Sequence, residues 1–157
     1  MKYPTYKYRG ARALVMLHEH HLHEFIDIWR DAKAVDLDIV EKGNSQYESL
    51  ESVLRHVLSS AGNYMKWICQ ELELPDPEIR RAPDVDVIEE EAEDYIEHLI
   101  ERWSTPLADI PEKSFYHPTH TSRWKVEYCI DAMMEHAVMH PIRHTFQFEE
   151  LMEKFED

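Results

Sequence analysis

His140 and His144 are the residues in this sequence whose spacing most directly implies chemistry. Side chains four residues apart on a helix stack on one face, and two imidazoles so placed can share a metal ion. At about 100° per residue, His144 falls on an apolar face with Val126, Ile130, Met133, Ala137, Phe148 and Leu151, and His140 lies close to its edge. Imidazoles removed from water need hydrogen-bond partners or a metal. The pair therefore reads as two ligands, with a pair of satisfied core histidines as the alternative. His136 continues the stripe one turn earlier, about 80° from His144, where it either supports the ligands or faces solvent.

The chain holds 11 histidines in 157 residues, so the others must be weighed too. The run His18-Glu19-His20-His21-Leu22-His23 looks like a linear metal tract, but a helix splits it. His18 and His21 then face the core, and His20 and His23 face solvent. A four-histidine site is excluded, while His18 or His21 remains a candidate to line a pocket or to close a metal site as fourth ligand. His56 lies off the main apolar face of its helix, beside Ser49, Ser60 and Trp67, and by periodicity alone reads as a surface histidine. His98, His117 and His120 have no assignable partner. Carboxylate-bridged bundles need Glu-x-x-His on two helices, and no histidine here has a glutamate three residues before it. A histidine-dominated mononuclear site is what remains. Cys69 and Cys129 form no CxxC pair and read as buried, reduced thiols.

These side chains must be placed by helices, because four segments carry helical periodicity and none carries a convincing strand alternation. The first spans 11–34, with Leu14, Leu17, His18, His21, Phe25, Ile28 and Ala32 on one face. An irregular stretch follows over 35–45, holding Gly43 and Asn44. The second helix spans 47–74, its apolar face collecting Leu50, Val53, Leu54, Val57, Ala61, Tyr64, Met65 and Ile68. Pro75, Pro77 and Pro83 make 75–87 a loop. The third helix spans 88–103 and opens on Glu89, Glu90 and Glu91, whose charge complements the positive end of the helix dipole. A second loop over 104–121 leads to Thr121 or Ser122 as N-cap of a fourth helix over 123–155. One all-α domain over 1–157, an antiparallel four-helix bundle, is the economical architecture.

Bulk properties narrow the partners. Hydrophobic residues make up 43% and charged residues 31% of the chain, an ordinary globular balance. A net charge of −15 repels phosphate backbones and anionic bilayers alike. Neither nucleic acid nor a membrane is expected as a partner. No apolar run approaches the roughly 20 residues needed to span a bilayer, and residues 1–10 lack an apolar signal core. A cytoplasmic location is the expectation.

Leu50-Glu51-Ser52-Val53-Leu54-Arg55-His56-Val57 and Glu135-His136-Ala137-Val138-Met139-His140-Pro141-Ile142-Arg143-His144-Thr145-Phe146-Gln147 carry a further signal. With the order and length of the helices, they resemble the DinB/YfiT-like superfamily. The resemblance implies a four-helix bundle whose metal triad joins one histidine of helix two to a His-x-x-x-His pair of helix four. Carried over, the triad is His56, His140 and His144. His136 matches a histidine often seen one turn earlier, and Gln147 a glutamine that commonly follows the last ligand. Two departures stand out. Thr145-Phe146-Gln147 replaces a tripeptide such as Arg-Gly-Gln, and Pro141 between the ligands is expected to bend the helix and turn His140 relative to His144.

Three neutral imidazoles suit Zn²⁺, Ni²⁺ or Fe²⁺, with water in the remaining positions. Such an ion lowers the pKa of a bound thiol or water. The resemblance implies S-transferase or isomerase chemistry with a low-molecular-weight thiol. The expectation is a metal-dependent transferase, or a hydrolase-like enzyme, acting on a small molecule, with Arg123, Lys125 or Arg143 available to pair with an anionic substrate. A homodimer formed through helix faces is also implied. The alternative class is a non-catalytic metal-binding stress or sensor module. A bundle that merely oligomerises, its histidines incidental, is a third reading.

Overall fold

Helical periodicity becomes helix at four long segments in the computed structural model, which describes residues 3–39, 44 and 46–156. These are α1 (Arg9–Ala34), α2 (Leu50–Glu71), α3 (Ile88–Ser104) and, after a single-turn α4 (Lys113–Tyr116), α5 (Ile130–Glu156). Between α4 and α5 lies a ladder of two short strands, β1 (His120–Thr121) and β2 (Glu127–Tyr128). The protein is thus mostly helical with little sheet. Gly43 and Ser45, in the stretch expected to be irregular, lie outside the described residues. No described helix is long and apolar enough to cross a membrane.

Local chemistry explains where the helices begin and end. Ser49, in an extended conformation, accepts a hydrogen bond from the Ser52 amide at 3.0 Å and so caps α2. Both α1 and α2 close with the same left-handed turn. Asp36 (φ 53) and Glu73 (φ 56) take the position usually given to glycine, and the Leu37 and Leu74 amides donate back to the Ala32 and Cys69 carbonyls at 3.0 and 2.8 Å. A chain with three glycines makes these turns with carboxylate residues instead.

α1 packs against α5, α2 and α3, and α2 packs against α5 and α3 as well. Two buried tryptophans fix this arrangement. Trp29 of α1 donates to the Leu50 carbonyl at 2.6 Å, and Trp103 of α3 donates to the Ala61 carbonyl at 3.0 Å. Each ring fills the core while its N–H stays satisfied. Gly62 allows the 75–87 loop to lie close on α2, since a Cβ there would meet the Ile79 side chain at 3.0 Å.

Two expectations need correcting. The buried face of α1 is Ala11, Val15, His18, Leu22, Phe25, Ile26, Trp29 and Ala32. Leu17 is 44% exposed, and Leu14, His21 and Ile28 sit on the flank. The heptad through 15, 22 and 29 wins because it buries Trp29, the largest side chain available. The fourth long helix begins at Ile130 rather than at 123, and 120–128 forms a hairpin in which His120 pairs with Tyr128 and Thr121 with Glu127. Ser122 is no helix cap. Its amide donates to the Val126 carbonyl at 2.8 Å, its hydroxyl accepts from the Val126 amide at 3.1 Å, and Lys125 turns the chain at φ 71. Val126, expected on the apolar face, is 48% exposed.

Candidate metal centre

His56 stands in the second turn of α2, and His140 and His144 stand near the middle of α5 on either side of Pro141. Packing of α2 on α5 brings the three rings together. One ligand nitrogen from each lies within 4.8 Å of the others. The Nε2 atoms of His56 and His140 are 3.0 Å apart, and the ring centroids of His140 and His144 are 4.9 Å apart. Pro141 lies inside α5 without ending it, and the Thr145 hydroxyl donates to the Pro141 carbonyl at 2.9 Å.

Burial is graded across the group. His144 is buried, at 8% exposure, and His56 and His140 are half-buried. Removal from water, together with the neighbouring imidazoles, pushes His140 down to about 3 and His56 down to about 4. His144 is also lowered by burial, and its hydrogen bond to Gln147 works the other way. All three rings are therefore neutral near pH 7, which is the protonation state a metal ligand needs.

The surroundings orient the rings. His144 Nδ1 donates to Gln147 Oε1 at 2.8 Å, which leaves Nε2 as the lone-pair nitrogen. The Tyr47 hydroxyl is 3.3 Å from His56 Nε2, and the Tyr47 ring stacks on His144 at 5.9 Å. Phe25 of α1 closes the other side of His144, edge-on at 6.4 Å. His140 Nδ1 is buried without a hydrogen-bond partner.

A divalent cation fits these residues on two counts. Two nitrogens bound about 2.0–2.1 Å from one ion lie about 2.8–3.4 Å apart for angles between 90° and tetrahedral, and the His56–His140 separation of 3.0 Å falls in that interval. Neutral imidazoles crowded nitrogen to nitrogen, one with an orphaned buried atom, are also poorly satisfied by each other alone. His56, His140 and His144 could hold a metal ion.

The other candidates fall elsewhere. His18 is fully packed, its ring stacked on Trp103 with centroids 3.7 Å apart, and its Nε2 has no partner. His21 is half-buried and pairs with Glu24 at 3.3 Å. Neither joins the triad, so neither closes it as a fourth ligand. His20, 62% exposed, also reaches Glu24, at 3.1 Å, an ordinary surface pairing one helical turn apart. His136 is half-buried beside the triad, stacked on Trp124 at 5.2 Å and edge-on to Tyr64 at 5.5 Å. His98 Nε2 accepts from the Arg80 amide at 2.9 Å, and His120 Nδ1 lies 3.1 Å from Glu71, tying the hairpin to α2.

Tyr47, Tyr64 and Trp124 were not legible as site residues. Periodicity placed each inside an expected helix, and only Tyr64, half-buried beside His140 at 5.8 Å, keeps that place. Trp124 came to the site through the hairpin, whose two-residue strands are too short to show alternation. Compared with known proteins, the chain matches no protein-family model, no curated protein and no solved structure.

Proposed function

We propose that this chain is a divalent-metal-binding protein of the DinB/YfiT-like kind, its four long helices forming an antiparallel bundle, and that it works as a metal-dependent transferase with a low-molecular-weight thiol. The observation that carries the metal half of this reading is the convergence of His56, His140 and His144, three neutral imidazoles from two helices. No other His, Cys, Asp or Glu among the described residues joins that group. Three protein ligands with open positions are the pattern of catalytic rather than structural sites. The transferase half rests on the sequence resemblance alone.

A divalent cation held here would bind a thiol and favour its thiolate, a nucleophile near neutral pH. The protein's own part is positioning. Gln147 fixes the His144 tautomer by accepting from Nδ1. Tyr47 places a hydroxyl beside His56 Nε2, within reach of a bound polar group. His56 also lines a hollow of about 400 Å³, a size that accommodates a small molecule.

The test is metal content by mass spectrometry on untagged protein, beside His144→Ala. The expected result is about one zinc, nickel or iron per chain, lost in the variant while the far-ultraviolet helical signal stays. Metal-loaded protein is then assayed for transfer to an electrophile with several small thiols. Metal without turnover would leave a binding or sensing module; no uptake on reconstitution would sink the reading.

A further inference from the structure

The hollows of this protein differ in charge. One beside the C-terminal end of α3 is lined by Asp76, Glu78 and Glu101 against the single cation Arg102, and one between the ends of α1 and α5 by Asp31, Glu149 and Glu153. That is the expected outcome for a chain with 32 acidic and 17 basic residues. Two hollows on the side of the histidine triad break the pattern, for neither contains a carboxylate.

The first, about 380 Å³, has an apolar wall of Tyr64, Trp67, Trp124 and Met133 and a polar edge that includes Arg123. The second, about 400 Å³, is lined by His56 and Arg55. They share Gln46, Ser60 and Asn63, so they adjoin along one side of α2. Each is of the size that holds a small organic ligand. Tyr64 joins this groove to the triad, its ring 5.8 Å from that of His140. Arg143 lines neither hollow but stands near this side, since its charge acts on Tyr64, His136 and His140. Arg123 makes no ion pair among the described residues.

We propose that this groove binds a small organic carboxylate with a flat apolar body, its carboxylate on Arg123 and its flat part against Trp124, Tyr64 and Trp67. The inference rests on reading the triad as the functional site that the groove serves. A guanidinium fork matches a planar carboxylate through two parallel hydrogen bonds. A cationic ligand would find no counter-charge in either hollow. A pure hydrocarbon would leave Gln46, Ser60 and Asn63 without partners. Trp124, 45% exposed and already stacked on His136, offers a second flat face at low ordering cost.

The test is calorimetric titration of 2-naphthoate and its neutral isostere 2-naphthamide into protein stripped of metal and protein loaded with zinc. Naphthoate is expected to bind both forms, about tenfold tighter than the amide, as a charge-assisted hydrogen bond would give. Arg123→Gln, a change at an exposed position, is expected to erase that preference, and Trp124→Ala to weaken both ligands. Absence of the preference, or its survival in Arg123→Gln, overturns the proposal. Naphthoate binding confined to the zinc form and indifferent to Arg123 assigns the anion to the metal and overturns it too. Arg123-dependent binding by a protein that takes up no zinc, nickel or iron would remove the metal reading and leave the groove standing.

Discussion

Gln147 and His18 show how differently two polar side chains can serve a helical core. Gln147 is useful because its amide oxygen accepts from His144. Gln147→Leu is expected to keep the fold and to weaken zinc binding about 10- to 100-fold, read by competition with a chromophoric chelator. His18 has no such service. It is buried against Trp103 with an unpartnered nitrogen, and burial pushes it down to about 3. Between that value and the ordinary value of 6.5 the unfolded chain binds a proton at this residue that the folded chain does not. Stability therefore falls as pH drops through this window, by about 1.4 kcal/mol per pH unit from this group. His18→Phe keeps a ring on Trp103 and removes the titration. In metal-free protein its denaturation midpoint is expected to fall less steeply from pH 7 to pH 4 than that of the wild type. Equal slopes would show that His18 carries no part of the acid sensitivity. The sequence placed His18 on the core side correctly. It could not show that the partner there is an indole rather than a metal, because that contact comes from α3.

Among the elements, α2 was the most legible. Seven of the eight side chains assigned to its apolar face are buried, and Tyr64 is half-buried. α1 misled by one position, since leucines at 14 and 17 suggest a stripe that packing around Trp29 overrules. The hairpin was illegible because Arg123, Trp124 and Lys125 carry no turn signature, and the turn is made by Ser122 and a left-handed Lys125. His56 needed the family resemblance. Its flank of α2 looks polar in sequence and becomes covered only when α5 arrives. The helix ends make a prediction that belongs at this scale. Asp36 and Glu73 hold left-handed backbone that glycine adopts without strain. Asp36→Gly and Glu73→Gly are each expected to raise stability by about 0.5–1 kcal/mol, measured by urea denaturation. A loss in both would mean that the carboxylates do more than occupy the turn.

For the molecule as a whole, the dominant fact is a charge of −15 spread over helices packed on one core. Self-repulsion of that field opposes the compact state. Thermal stability of the metal-free protein is expected to rise between about 0.01 M and about 0.5 M sodium chloride as the Debye length shortens. A falling melting temperature would show that attractive pairs such as Lys33–Glu51 and Arg30–Glu93 outweigh the repulsion. Mostly helical architecture was readable from periodicity and few glycines. Arg123 and Arg143 were also readable as partners for an anion, but the two hollows without carboxylates were not, because a charge count has no direction and their lining residues come from separate parts of the chain.

The contact between His56 and His140 joins positions 84 residues apart. Whatever grips both at once ties a knot in the chain that the unfolded ensemble must undo, much as a cross-link would, but one that a chelator can cut. Stabilisation through such a tie follows mass action, about 2.7 kcal/mol at a free ion concentration one hundred times the dissociation constant. The melting temperature would then track ion supply, and a cell short of the ion would hold this protein in a looser, more readily degraded form.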